Sequence, residues 1–290
     1  MLKFKMFALV LVSSFVLSAC NFPGETDEVA MSPDQMEHIG CQEGEIDVNG
    51  NCEPAFENNV ELFGQDFVDE LEVREVKEDV LGFLAKPKEP GNYPGVILIH
   101  EWWGLNENIK EMAQILANEG YVVFAVDLFE GEIAKESDTA RVLSGRVRSN
   151  PEKAVEEMQN VVKYLKEEEG VSKVASLGWC FGGEQSLNLS LQEQLDATVI
   201  YYGRLTDDSD RLKNISAPVL GIFGDQDTSI SVESVNSFEN VLNDLEIEND
   251  IYIYSGVGHA FANPSGSNYA KTETLDAWEK TVEFLNMALK

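Results

Sequence analysis

Lys173-Val174-Ala175-Ser176-Leu177-Gly178-Trp179-Cys180-Phe181-Gly182-Gly183 is the stretch on which the fold turns. Residues 173–177 have the apolar run of a short buried strand, and 182 to about 192 read as a helix. Between them the glycines flank one cysteine. A strand that passes into a helix through so short a turn brings the two backbones together, and glycine alone leaves room for that. The turn would lift the Cys180 side chain clear of the sheet, at the positive end of the helix that follows. The alternative is a buried core cysteine in a glycine-rich turn.

Working outward, the same alternation repeats. Residues 71–76 and 80–85 form two predicted strands joined by a charged turn, an antiparallel hairpin. Gly95-Val96-Ile97-Leu98-Ile99-His100 is a continuous apolar run, as in a strand buried on both faces. The spacing predicts a helix over 106–119, with Ile109, Met112, Ala113, Leu116 and Ala117 on one side and Gly120 as its stop. A strand at 121–126 follows, closed by Asp127, and Pro151 opens a helix to about residue 168. Beyond the cysteine, strands are predicted at 197–201, 219–223 and 251–254, and helices at 232–245 and 271–289. Such alternation implies an α/β fold: a mainly parallel central sheet with helices on both faces. Reactive residues then collect at the carboxyl edge of the sheet.

Gly178-Trp179-Cys180-Phe181-Gly182 is G-x-C-x-G, the nucleophile-elbow spacing with cysteine in the serine position. A base must reach the sulfur, and past residue 67 the histidines are His100 and His259. His259 follows the last predicted strand in Ser255-Gly256-Val257-Gly258-His259-Ala260-Phe261, a loop at the carboxyl edge. An orienting acid should come from the preceding strand end, where Gly224-Asp225-Gln226-Asp227 offers two. Asp227 is preferred because it lies past the turn, and Asp225 is the alternative. The order nucleophile, acid, histidine is that of the α/β-hydrolase fold. His100 reads as a structural hydrogen-bonder. By position, the oxyanion hole comprises the backbone N–H of Phe181 and that of Trp102. Trp102, Trp103, Tyr201 and Tyr202 are candidate pocket walls, with core filling as the alternative for each.

Together, G-W-C-F-G-G, Gly224-Asp225-Gln226-Asp227, Gly258-His259-Ala260-Phe261 and His100-Glu101-Trp102-Trp103-Gly104 resemble the dienelactone hydrolase family over nearly all of 68–290. The resemblance implies a Cys180–Asp227–His259 triad that cleaves an ester or lactone through a thioester acyl-enzyme, with no metal or organic cofactor. It also implies that Glu101 interacts with the resting thiol and helps generate the thiolate once substrate binds. Lactone-cleaving members hold the substrate's carboxylate with an arginine shortly after the histidine. Here the run is His259-Ala260-Phe261-Ala262-Asn263, so Asn263 stands in its place. Arg141, Arg146 and Arg148 are the candidates to supply another.

The first 66 residues read differently. Lys3 and Lys5 precede an apolar run from Met6 to Leu17, too short to span a bilayer but suited to a secretory signal. Leu17-Ser18-Ala19-Cys20 resembles a bacterial lipoprotein signal, which implies cleavage after residue 19, acylation of Cys20 and an extracytoplasmic protein tethered to a membrane. Residues 20–66 read as an acidic tether, with Cys41 and Cys52 as a disulfide pair across a short polar loop. The catalytic domain would then span 67–290. Removing Lys3 and Lys5 with the signal leaves 19 bases against 52 acids, a formal charge of −33. That sign repels nucleic acid and anionic headgroups but leaves a small neutral ester free to bind. Two other readings remain: a catalytically inactive small-molecule-binding protein on the same scaffold, and a thiol redox protein, which the lack of C-x-x-C disfavours.

Overall fold

The computed structural model describes residues 71–290, together with the backbone of a separate antiparallel hairpin, β1 (Glu45–Val48) and β2 (Asn51–Pro54). The expected signal, the acylated Cys20 and the Cys41–Cys52 disulfide lie outside the described residues or side chains.

The remaining strands are β3 (Leu71–Val76), β4 (Gly82–Pro87), β5 (Gly95–Ile99), β6 (Val122–Val126), β7 (Val174–Trp179), β8 (Ala197–Tyr201), β9 (Val219–Gly224) and β10 (Asn249–Tyr254). They form one eight-stranded sheet in the order β10-β9-β8-β7-β5-β6-β4-β3. From β10 to β6 all neighbours are parallel, whereas β4 runs antiparallel to both β6 and β3. This is the α/β-hydrolase architecture expected from the alternation. The helices are α1 (Glu107–Asn118), α2 (Ser137–Arg148), α3 (Pro151–Glu167), α4 (Phe181–Ser190), the short α5 (Ser209–Leu212), α6 (Val232–Asp244) and α7 (Lys271–Leu289).

Strand periodicity divides the core between the two faces. Val96 and Leu98 of β5 pack with Ile109, Met112 and Leu116 of α1 and with Phe284 and Leu285 of α7. Ile97 and Ile99 point the other way, toward Val155, Met158, Val161 and Leu165 of α3. All four β5 side chains are fully buried, each contributing about 1.5–3 kcal/mol of apolar burial. A third cluster, with Val235, Phe238 and Leu242 of α6, closes the β8–β9 end. Local signals fix the helix limits: the Asn106 carboxamide caps α1 by accepting from Ile109 N–H at 3.2 Å, and Gly120, at φ +86°, ends it. Among the described residues, no helix is long and apolar enough to cross a membrane.

The crossover from β6 to β7 departs from the expectation. It contains α2 as well as α3, and α2 buries only Ala140, Leu143 and Ser144. Its last turn carries Arg146 and Arg148 to the carboxyl edge of the sheet.

Two glycines respond oppositely to a methyl group. A Cβ on Gly178 would collide with the backbone of Gly182 and Gly183, whereas one on Gly145, exposed within α2, meets nothing within 4 Å. Gly178→Ala should therefore cost more than about 3 kcal/mol or prevent folding, while Gly145→Ala should stabilise by roughly 0.5–1 kcal/mol. Urea unfolding of the two variants checks both signs.

Candidate active site

The site begins at the junction of β7 and α4. Cys180 adopts φ +56° and ψ −113°, a left-handed conformation that costs a non-glycine residue on the order of 1–3 kcal/mol. Packing enforces it: a Cβ on Gly182 would strike the Ile99 carbonyl, and one on Gly183 would lie 2.6 Å from that of Tyr201. Cys180 N–H donates to the Tyr201 carbonyl at 2.9 Å, which ties the turn to the end of β8. The sulfur is left partly exposed at the sheet's carboxyl edge.

Two loops bring partners to it. His259 Nε2 lies 3.1 Å from Cys180 Sγ, and His259 Nδ1 lies 2.7 Å from Asp227 Oδ2. The other Asp227 oxygen, Oδ1, accepts from the N–H groups of Ser229 (2.7 Å) and Ile230 (3.0 Å), which sets the carboxylate's orientation. Burial pushes Asp227 up, but the bonds from His259, Ile230 and Ser229 outweigh it and hold the carboxyl below its ordinary value. Burial likewise pulls His259 down, yet its bonds to Asp227 and Cys180 win and raise it to about 10. The contacts with Asp227 and the sulfur thus favour the charged form of the ring.

Asp225 has different work. It accepts from Gly256 N–H at 2.7 Å and Ser255 Oγ at 2.9 Å, so it fastens the base of the histidine loop. Farther along, Asn268 Nδ2 donates to the His259 carbonyl at 2.9 Å, and the Tyr202 ring packs edge-on against the imidazole at 5.3 Å.

Glu101 is buried, at 4% exposure, on the loop after β5. The resemblance implies that it interacts with the resting thiol; the hydrogen bond its carboxyl makes in the structure is with Asn263. Glu101 Oε2 accepts from Asn263 Nδ2 at 2.5 Å, while the sulfur's hydrogen bond goes to His259. Asn263 Oδ1 accepts from Ser265 N–H at 2.9 Å, so its NH2 edge is the one turned to Glu101. The side chain that stands where lactone-cleaving members have an arginine thus binds the protein's own carboxyl. Burial raises Glu101 to about 7, against the opposing pull of His259 and the Asn263 bond. His100, fully buried, accepts at Nε2 from Leu128 N–H (3.2 Å), so Nδ1 holds the proton and donates to the Glu101 carbonyl (2.6 Å). It is a structural clasp between the ends of β5 and β6.

Cys180, His259, Glu101 and Asn263 line a cleft of about 430 Å³, walled also by Trp102, Trp103, Tyr202 and Ile230. Phe181, expected to supply an oxyanion N–H, opens α4, and its N–H belongs to the first turn, which lacks intrahelical partners. Tyr201, a candidate wall, instead turns into the core and bonds Thr281 Oγ1 (2.6 Å) and the Ala277 carbonyl (3.0 Å). Of the three arginines singled out, Arg141 pairs with Asp138 and Arg146 with Glu132, while Arg148 reaches the cleft. Arg148 is bound to Glu184 at 2.7 Å and lies over the Phe181 ring. The sequence reading missed Arg204, which is exposed at the cleft without an ion pair among the described residues. Its signal was position: three residues past the end of the predicted strand at 197–201, at the carboxyl edge.

Comparison with known proteins agrees with the fold. A family model described as "Dienelactone hydrolase family" matches residues 80–289. The chain is 30% identical over 251 residues to a putative carboxymethylenebutenolidase of Saccharolobus solfataricus, covering 73% of this chain and 95% of that protein. It is 34% identical over 214 residues to the protein usf of Aquifex pyrophilus, covering 71% and 92% respectively. The crystal structure of a putative dienelactone hydrolase from Klebsiella pneumoniae shares the fold, with a TM-score of 0.67 at 22% identity over 75% of this chain and 99% of that one.

Glu101 generates a prediction. Its carboxyl titrates at about 7 when folded against an ordinary 4.5, so the folded state holds more protons between those values. Its contribution to stability is therefore intact below about pH 4.5 and lost as pH rises through about 7. Glu101→Gln should remove that loss, making the variant more stable than wild type by on the order of 2–3 kcal/mol near pH 8, with little gain near pH 4. Urea melts at both pH values check this; an equal gain at both would refute it.

Proposed function

The chain belongs to the dienelactone hydrolase family and is a hydrolase, and from that premise we propose that it cleaves a carboxylic ester or lactone with Cys180 as nucleophile, His259 as proton carrier and Asp227 as its orienting acid. The observation that carries the reading is the continuous contact from Asp227 through His259 to the sulfur, opening on a cleft.

In the mechanism, Sγ attacks the ester carbonyl and the carbonyl π electrons move to oxygen. The resulting oxyanion takes hydrogen bonds from the N–H groups of Phe181 and Trp102. As the tetrahedral centre collapses, the C–O bond breaks and His259 Nε2 gives its proton to the departing alcohol, leaving a thioester on Cys180. The neutral ring then takes a proton from water as that water attacks the thioester, and thiolate departs to restore the imidazolium–sulfur pair. Asp227 keeps the ring oriented through both halves. Glu101 joins the catalytic set as a buried carboxyl in the same cleft that changes charge near neutrality.

Arg148 is committed to Glu184, and Arg204 supplies the cleft's remaining guanidinium. A substrate bearing a carboxylate would therefore be read by Arg204, in place of an arginine after the histidine. No metal or organic cofactor enters this scheme. The location is part of the same proposal: Cys20, acylated after removal of 1–19, tethers the enzyme outside the cytoplasm.

A panel of neutral and carboxylate-bearing esters and lactones tests the chemistry. Cys180→Ala should abolish turnover and leave the circular dichroism unchanged. Arg204→Gln should raise KM roughly tenfold for the carboxylate-bearing members and leave the neutral ones alone. Turnover at the wild-type rate in Cys180→Ala would overturn the assignment. For the tether, label from a radioactive fatty acid should enter the wild-type chain and be absent from Cys20→Ala.

A further inference from the structure

Behind the cleft lies a second, smaller cavity of about 20 Å³, lined by Asn108, Thr274 and Trp278 among others. Glu101, Tyr202 and Asn263 line both spaces. Glu101 and Asn263 are bonded to each other; Tyr202 is the unexplained member. It stands at the end of β8 with φ +35°, a strained conformation for a bulky aromatic residue, and its side chain is 99% buried. Its ring has clear partners in His259 and Phe261, but its hydroxyl has no hydrogen-bond partner among the described residues. The Ala262 backbone lies beside the phenol oxygen as well, on its acceptor side, and leaves the hydroxyl's own proton to be placed. A buried hydroxyl without a partner costs about 1–3 kcal/mol, and 20 Å³ is enough for one water.

We propose that Tyr202 is a positioning residue for Glu101: its hydroxyl donates to one water held in the inner cavity, and that water donates to the Glu101 carboxyl. Asn263 then grips the carboxyl from the histidine loop and Tyr202 grips it from the end of β8. Both grips favour the charged carboxylate and oppose the burial that raises it. Burial and the neighbouring Glu101 and Cys180 keep the phenol far from ionising, so it remains a donor throughout. The titratable groups facing Glu101 are His259, Cys180 and Tyr202, with Arg148 and Arg204 lining the same cleft. The inference rests on Glu101 belonging to the catalytic set.

Tyr202→Phe deletes the oxygen and keeps the ring. Two profiles against pH are read on wild type, Tyr202→Phe, Glu101→Gln and the double variant: ester turnover, and iodoacetamide labelling of the Cys180 peptide by mass spectrometry. The limb governed by Glu101 should move upward by about half a pH unit in Tyr202→Phe and not move when Glu101 is already Gln. Superimposed profiles, or a shift that persists without Glu101, would overturn the proposal. So would a gain in stability, which is what deleting an orphaned hydroxyl produces. If Tyr202→Phe does not fold, a crystal structure of the wild type decides: water density within hydrogen-bond distance of Tyr202 Oη and Glu101 supports the link, and its absence removes it. A wild type without turnover on any ester would sink the hydrolase reading instead, while the labelling profile still reports on this one.

Discussion

The backbone contact between Gly178 and Gly182 is the constraint from which the site follows. With no side chain at either position, β7 and α4 approach until atoms of one turn touch atoms of the other. The residue at the apex is left no right-handed conformation, so Cys180 takes a positive φ and its sulfur is carried out of the sheet. The same close approach seats Gly182 against the Ile99 carbonyl, which aligns the turn with the loop bearing Glu101 and Trp102. One steric condition therefore positions both the sulfur and the loop opposite it.

The histidine reaches that sulfur through hydrogen bonds made by its neighbours. Asp225 holds the start of the loop at Ser255 and Gly256, Asn268 holds the His259 carbonyl, and Thr274 Oγ1 donates to the Phe261 carbonyl. The two aspartates of Gly224-Asp225-Gln226-Asp227 divide the labour. The half-buried one sets the loop, and the buried one sets the ring and its charge.

Much of the fold was legible because its strands are strongly apolar and its glycines sit at element ends. The strand Ala197–Tyr201 and the helix Lys271–Leu289 have the limits that periodicity indicated. Helix α2 was not legible: Ser137–Arg148 is polar and buries three small or medium side chains, so it shows little apolar stripe. At the site, residue type and chain order pointed to Cys180, His259 and Asp227, and coordinates place these side chains within hydrogen-bond reach. The choice between the two aspartates needed the Ser229 and Ile230 N–H groups, which no spacing rule displays. Glu101 was visible as a motif residue, but its partner stands 162 positions away, and no local pattern encodes such a contact. Tyr201 and Tyr202 are adjacent, and only the geometry at the end of β8 decides that one enters the core and the other faces the cleft.

Asn263 and His259 share a single short loop, and that couples their two attachments. A residue four places from the base is anchored to a carboxyl on the opposite side of the cleft. Insertions or deletions between them would move both attachments at once. The segments bearing Arg148 and Arg204 lie elsewhere on the rim, where a change of length leaves Asn263 and His259 in register.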